Sequence, residues 1–238
     1  MKIALRLIIF ALVLTFTSCI DDNFGPGEIT STKRSTPIFD KVKVVDGFQV
    51  EIIRGNYLEV VVEAPEGYQQ DIYTEVNKDG ELCISLDKDI NPLNVKHKKV
   101  FITMPTLRSI TAWGGSEAYT TGTFTTPIFY FDADGGSYIE ANITGNEANV
   151  IASARSDVKL VGDVDALYVD ELSGNSKLYA FDLYTNLCEL NLLGGSEAHV
   201  TTTQKLVVTA SEASIVKYAG HPNIVHSLTG GSQIINAN

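Results

Sequence analysis

The sequence predicts an all-β fold: a single-stranded parallel β-helix of about 20-residue coils, right-handed by the default of parallel crossovers, capped by an N-terminal β segment. Three observations predict it. A glycine–serine phrase returns at a near-constant interval, each return is followed by an alternating strand, and no single repeat is long enough to bury a core.

The serines of GGSEAY, GGSYIE, ARSDVK, GNSKLY, GGSEAH, EASIVK and GGSQII are Ser116, Ser137, Ser156, Ser176, Ser196, Ser214 and Ser232. They are 21, 19, 20, 20, 18 and 18 residues apart. Two positions after them stand Ala118, Ile139, Val158, Leu178, Ala198, Val216 and Ile234, with mostly polar neighbours, so the chain there alternates as a strand does. Just before them stand Gly115, Gly136, Asn175, Gly195 and Gly231, residue types that accept a left-handed turn cheaply. A second strand begins in each repeat near Leu107, Ile128, Ala148, Leu167, Leu187, Leu206 and Ile224. Stacked coils would set Asp157, Lys177 and Glu197 side by side, and Glu140 against Lys159, with opposite charges as ladder neighbours. An antiparallel sandwich also alternates at such spacing, but it has no reason to reuse one turn phrase.

Residues 1–18 read as a secretory signal: Lys2 and Arg6, then an apolar run from Leu7 to Phe16. That run is shorter than the ~20 residues a spanning helix needs. Thr17 and Ser18 before Cys19 resemble a bacterial lipobox, which makes Cys19 the expected lipidation site and the first residue of a membrane-anchored chain. Asp21 and Asp22 then resemble the acidic export tag of Bacteroidetes-like lipoproteins, a weak signal beside the reading of a solvated tether. Residues 19–37, with their Gly, Pro, Ser and Thr, are expected to form a flexible tether, and the domain is expected to begin near Ile38. Loss of Lys2 and Arg6 would take the formal charge from −11 to about −13, a balance that argues against nucleic acid as a partner.

Residues 38–105 hold longer strand patterns without the serine phrase, as in FDKVKVV, FQVEIIR, LEVVVEA, ELCISLD and VFITMP. Asp46-Gly47 is a hairpin signal, Gly55-Asn56 and Asp79-Gly80 mark further turns, and Lys88–Lys99 reads as a surface loop. This segment is expected to form a small sheet layer or atypical first coils covering the end of the repeats at 106–238, the whole of 38–238 making one continuous domain. Cys83 and Cys188 lie within apolar strand patterns and are expected to be buried small hydrophobes rather than a disulfide.

The order VDGFQVEIIRG, then LCISL, then VFITMPTLRSITAWGGSEA and the GGS-type coils resembles the bacterial putative autotransporter-adhesin family, head GIN domain. The resemblance covers nearly all of 38–238. It implies a β-helical exported domain, commonly on lipoproteins, with an adhesive role, and it supplies no catalytic residue.

Ser196 and His199 are three apart on a strand and so point to opposite faces, which argues against a nucleophile pair. Asp132 and Asp134 in FDADGG echo a calcium loop, but Ile143 stands where the bidentate acid belongs. Asp163, Asp165, Asp170 and Glu171 read as turns and solvated faces, and no metal or cofactor is expected. Tyr119, Tyr138 and Tyr179 fall in outward columns and are the candidate ligand-facing aromatics for a surface glycan or protein ligand. Trp113 is expected to pack where the two β segments meet. The sequence therefore predicts a lipid-anchored, cell-surface binding protein of the outer membrane with no catalytic activity. The rivals are a carbohydrate-active enzyme on a β-helix scaffold, with Asp132 or Asp163 as test residues, and a periplasm-facing structural lipoprotein.

Overall fold

The computed structural model describes residues 27–238, so residues 1–26, including Cys19 and the expected signal segment, lie outside the described residues. The N-terminal strands are β1 (Ile29–Arg34), β2 (Lys41–Val44), β3 (Gln49–Arg54), β4 (Glu59–Pro65), β5 (Ile72–Val76), β6 (Glu81–Leu86) and β7 (Lys99–Met104). The repeats follow as β8 (Ser109–Trp113), β9 (Glu117–Thr121), β10 (Phe124–Thr125), β11 (Ile128–Asp134), β12 (Tyr138–Ala152), β13 (Asp157–Leu172) and β14 (Lys177–Leu192). The chain closes with β15 (Glu197–Ala210), β16 (Ile215–Ala219), β17 (Asn223–Leu228) and β18 (Gln233–Asn236).

These strands wind into a parallel β-solenoid of about 7 turns. The first halves of β12 to β15 stack with β9, β16 and β18 into a front sheet, while their second halves stack with β8, β11 and β17 into a rear sheet. The apolar column after the serines becomes the front wall of the core: Ala118, Ile139, Val158, Leu178, Ala198 and Val216 are fully buried. Val150, Val169, Leu190 and Val208 form the rear wall. Each such aliphatic side chain removed from water contributes roughly 1.5–3 kcal/mol, and only stacking removes it.

The recurring phrase has a local cause. At each corner that precedes one of these serines two consecutive residues take positive φ, as at Gly114 and Gly115 (66° and 74°), and even Ala154 and Arg155 are held there at 53° and 64°. The serine that follows is turned inward, and Ser116, Ser156, Ser176, Ser196 and Ser214 are fully buried. A buried hydroxyl must be satisfied, and here the amide of a neighbouring coil or a carbonyl three residues back in the same corner satisfies it. Ser116 N–H donates to Ser137 Oγ (3.2 Å), Ser137 N–H to Ser156 Oγ (3.1 Å) and Ser156 N–H to Ser176 Oγ (3.1 Å). Ser137 Oγ donates in turn to Asp134 O (2.7 Å), and Ser196 Oγ to Leu193 O (2.9 Å). The motif is thus a hydrogen-bonded serine ladder inside the solenoid. On the opposite side of a coil, Gly162 has φ +122°, and a Cβ there would lie 2.0 Å from Ile143 O, so the close approach of successive coils requires glycine.

The N-terminal segment forms atypical first coils whose spatial order differs from chain order. β2 pairs with both β6 and β8, and β3 with both β7 and β9, all parallel. The coil β2–β3 therefore lies between the later coil β6–β7 and the repeats. The end is covered by antiparallel strands, β4 and then β1 on the front sheet and β5 on the rear.

Several expectations are corrected. Asp46-Gly47 is not a hairpin: both residues have positive φ (64° and 69°), but β2 and β3 diverge into the two sheets. The turn is a coil corner, with Gly47 N–H donating to Ser116 Oγ (3.0 Å), and it starts the serine ladder. The folded unit begins before Ile38, because β1 in the expected tether pairs along β4 from Ile29↔Pro65 to Arg34↔Val60. Cys83 alternates outward on β6 and is half-buried, whereas Cys188 is fully buried; both are free thiols. Trp113 does meet the N-terminal segment, but on the surface, with Lys43 Nζ 3.6 Å from its ring centroid and its Nε1 donating to Asp132 (3.2 Å).

Candidate binding face

Strand alternation places two parallel columns of side chains on the outside of the front sheet. One runs Gln49, Glu117, Tyr138, Asp157, Lys177, Glu197, and the next Glu51, Tyr119, Glu140, Lys159, Tyr179, His199, Lys217. Opposite charges do stand side by side: Lys159 Nζ lies 2.8 Å from Glu140, and Glu197 Oε1 is 2.6 Å from Lys217 Nζ and 2.7 Å from His199 Nε2. The Lys217 and then the His199 hydrogen bond hold the Glu197 carboxyl down at about 2.

Tyr119 and Tyr138 meet, with ring centroids 5.5 Å apart. Their hydroxyls donate to Glu117 (2.7 Å) and Glu140 (2.9 Å). Burial, reinforced by these carboxylates, pushes the Tyr119 hydroxyl up to about 12 and the Tyr138 hydroxyl higher still, so both rings stay neutral donors. Tyr179 stands apart. Lys159 separates it from Tyr119 and Tyr138, and it contacts His199 edge-on at 5.5 Å, while Phe181 stacks on the same imidazole at 5.0 Å. All three tyrosines are half-buried, whereas Tyr57, Tyr73, Tyr130 and Tyr184 are exposed.

Beside Tyr119 the front face dips into a concavity of about 300 Å³ lined by Gln49, Glu51, Lys99, Phe101, Tyr119 and Thr121. Phe101 and Tyr119 give it aromatic walls, Glu51 and Gln49 give acceptors, and Lys99 gives a cationic donor. Thr121 Oγ1 already holds Glu51 at 2.8 Å, fixing one acceptor. Four of these six residues come from the N-terminal segment. The repeat pattern could not show this, because it places β7 beside β3 only once the coil order is known. Phe181 follows the same outward alternation as Tyr179, but the register of β14 against β15 shifts just after it, between Ala180↔Val200 and Tyr184↔Thr201, so its column has no counterpart in the next coil to mark it.

The other candidate groups are not brought together. Ser196 is buried in the ladder while His199 lies outside, as their spacing requires. Asp132 binds Trp113, and Asp134 accepts from Ser153 Oγ. Asp163 and Asp165 are exposed where the front and rear sheets meet, and Glu171 accepts from Ser173 Oγ (2.7 Å). Among the described residues, no group of three or more His, Cys, Asp or Glu is placed to hold a metal ion, and no helix is long and apolar enough to cross a membrane.

Fold and faces together define a β-solenoid domain that presents ordered side-chain columns on rigid ladders. The chain belongs to the family described as putative auto-transporter adhesin, head GIN domain, whose model matches residues 38–222. Solved structures share the fold at low identity. A putative adhesin from Bacteroides fragilis is 22% identical, with 88% of this chain and 97% of that one covered and a TM-score of 0.80. A putative lipid binding protein from Parabacteroides distasonis is 16% identical, with 90% and 98% covered and a TM-score of 0.71. A putative adhesin from Parabacteroides merdae is 11% identical, with the same coverage and TM-score. Comparison with curated proteins gave no match.

Proposed function

We propose that the protein is exported, anchored to the outer membrane through acylated Cys19 with its solenoid outside the cell, and acts by binding rather than by turnover. The observation that carries the binding role is the concavity beside Tyr119. Aromatic walls with flanking acceptors and a donor match an amphipathic ligand such as a sugar ring, which stacks one face and hydrogen-bonds at its edge. The adhesin family supports the same reading, and the lipobox-like residues before Cys19 support the anchor.

Two measurements test it. Binding of the chain to a glycan array, compared with Tyr119→Ala and Glu51→Gln, is expected to show at least one glycan whose signal falls about tenfold in both variants, the equivalent of one lost anchoring contact. Equal signals for all three proteins would overturn the site. Protease shaving of intact cells is expected to remove the solenoid while a periplasmic control survives. Survival in intact cells, with no antibody labelling of their surface, would overturn the location in favour of a periplasm-facing role.

A further inference from the structure

The two ends of the solenoid are finished differently. At the N-terminal end the last strands, β1 and β5, are antiparallel additions that carry Lys33, Arg34 and Glu75, and Lys33 is paired to Glu59 at 2.6 Å. Charges on a short edge strand deter the pairing of another chain. At the other end β17 pairs only with β15, and β18 only with β16, so among the described residues one edge of each strand is open.

Nothing charged protects those edges. From Tyr218 to Asn238 there is no Asp, Glu, Lys or Arg, in a chain whose formal charge is −11. The core is also unfinished there. Ile224, Leu228 and Ile234 continue the buried columns but are only partly buried, and Val225 (53% exposed) and Ile235 (38%) stand outside. His226, level with buried Val208, occupies the inward column yet is exposed.

We infer that this end is a self-association surface, where a second copy of the chain pairs tail to tail, β17 against β17 and β18 against β18, both antiparallel. The occupant follows from charge and symmetry. Two copies of a chain of net charge −11 repel each other overall, and residues 218–238 at this end bring no Asp, Glu, Lys or Arg to add to that repulsion. A two-fold axis normal to the sheets brings each edge strand antiparallel to its own copy, satisfies the open N–H and C=O groups, and closes the two half-exposed ends of the core over each other. If the N-terminal end is tethered to a membrane, as in the reading above, the tail is the tip that a copy on a facing surface meets. The pairing itself does not depend on that tether.

The test uses the full chain, unacylated and in mild detergent, with its mass measured by sedimentation equilibrium against the 25.9 kDa of one chain. The wild type is expected at twice that mass, and His226→Glu/Ile235→Glu at one chain's mass at the same concentration, a rise of tenfold or more in dissociation constant. A one-chain wild type at about 100 µM, well above the Kd of ordinary specific complexes, would overturn the proposal. So would a two-chain mass that survives the substitutions, which would place the contact elsewhere. Hydrogen exchange of the wild type gives a readout free of variant folding: the outward amides of β17 and β18 are expected to slow as concentration rises. Exchange independent of concentration would also overturn the proposal.

Discussion

Replacing Ser137 by alanine should cost the solenoid about 2 kcal/mol without altering a single surface group. Ser137 is 2% exposed, and its hydroxyl accepts from Ser116 N–H at 3.2 Å and donates to Asp134 O at 2.7 Å. The methyl group that remains fits the space, so no cavity larger than the oxygen forms. The loss is electrostatic: one buried N–H is left unsatisfied, at roughly 1–3 kcal/mol. Asp134 O loses less, because it still accepts from Gly114 N–H (3.1 Å). Urea unfolding is the assay, with the shift read as a lower midpoint at unchanged slope. Ser227→Ala, at an exposed position on β17, serves as control and should stay within about 0.5 kcal/mol of the wild type. A loss at Ser137 as small as the control's would refute the claim that the repeated serine is there to link coils.

The remaining predictions concern other links. Gly162→Ala should cost more than about 3 kcal/mol or block assembly, since its Cβ would collide with Ile143 O, whereas Ala154→Gly should stabilise by about 1 kcal/mol by relieving a left-handed alanine; thermal melts read both. Glu197 stabilises the fold above its ordinary value of 4.5, and because its folded value is depressed to about 2, that contribution, on the order of 2 kcal/mol after partial solvent screening, is lost as pH falls from 4.5 towards 2. Glu197→Gln should flatten stability over that window in acid titration of the melt. Cys188, pushed up to about 11 by burial, should resist maleimide at pH 8 until the chain unfolds, while half-buried Cys83 labels in the native state; peptide mass spectrometry separates the two.

The repeats were legible because one spacing carries one physical demand. A coil that turns through two left-handed residues and then buries a hydroxyl will reuse small residues and serine, and its inner column must be apolar, so Ser116 to Ser232 and Ala118 to Ile234 could be read directly. Where coils depart from that demand, reading failed. Asp46-Gly47 has the same dihedral preference in a hairpin and in a coil corner, and only the partners of β2 and β3 distinguish the two. In β1 the inward-leaning positions Thr30, Thr32 and Arg34 are polar and give no apolar alternation to read, and the segment becomes a strand because β4 offers an open edge. The tyrosines were placed on the correct surface by alternation, but which of them touch depends on how many coils lie between them.

By itself, then, the sequence determined the all-β class, the coil length, the inward and outward assignment of the repeats and the neighbours along each outward column, because these follow from local dihedral preference and a two-residue period. The tertiary structure alone decided that β2–β3 is threaded between β6–β7 and β8–β9, that Phe101 and Lys99 join Tyr119 in one concavity, and that charged antiparallel strands cover one end while, among the described residues, β17 and β18 each keep one unpaired edge. Those outcomes depend on which strand edges remain unpaired after the coils have stacked, a property of the assembled ladders that no window of residues contains.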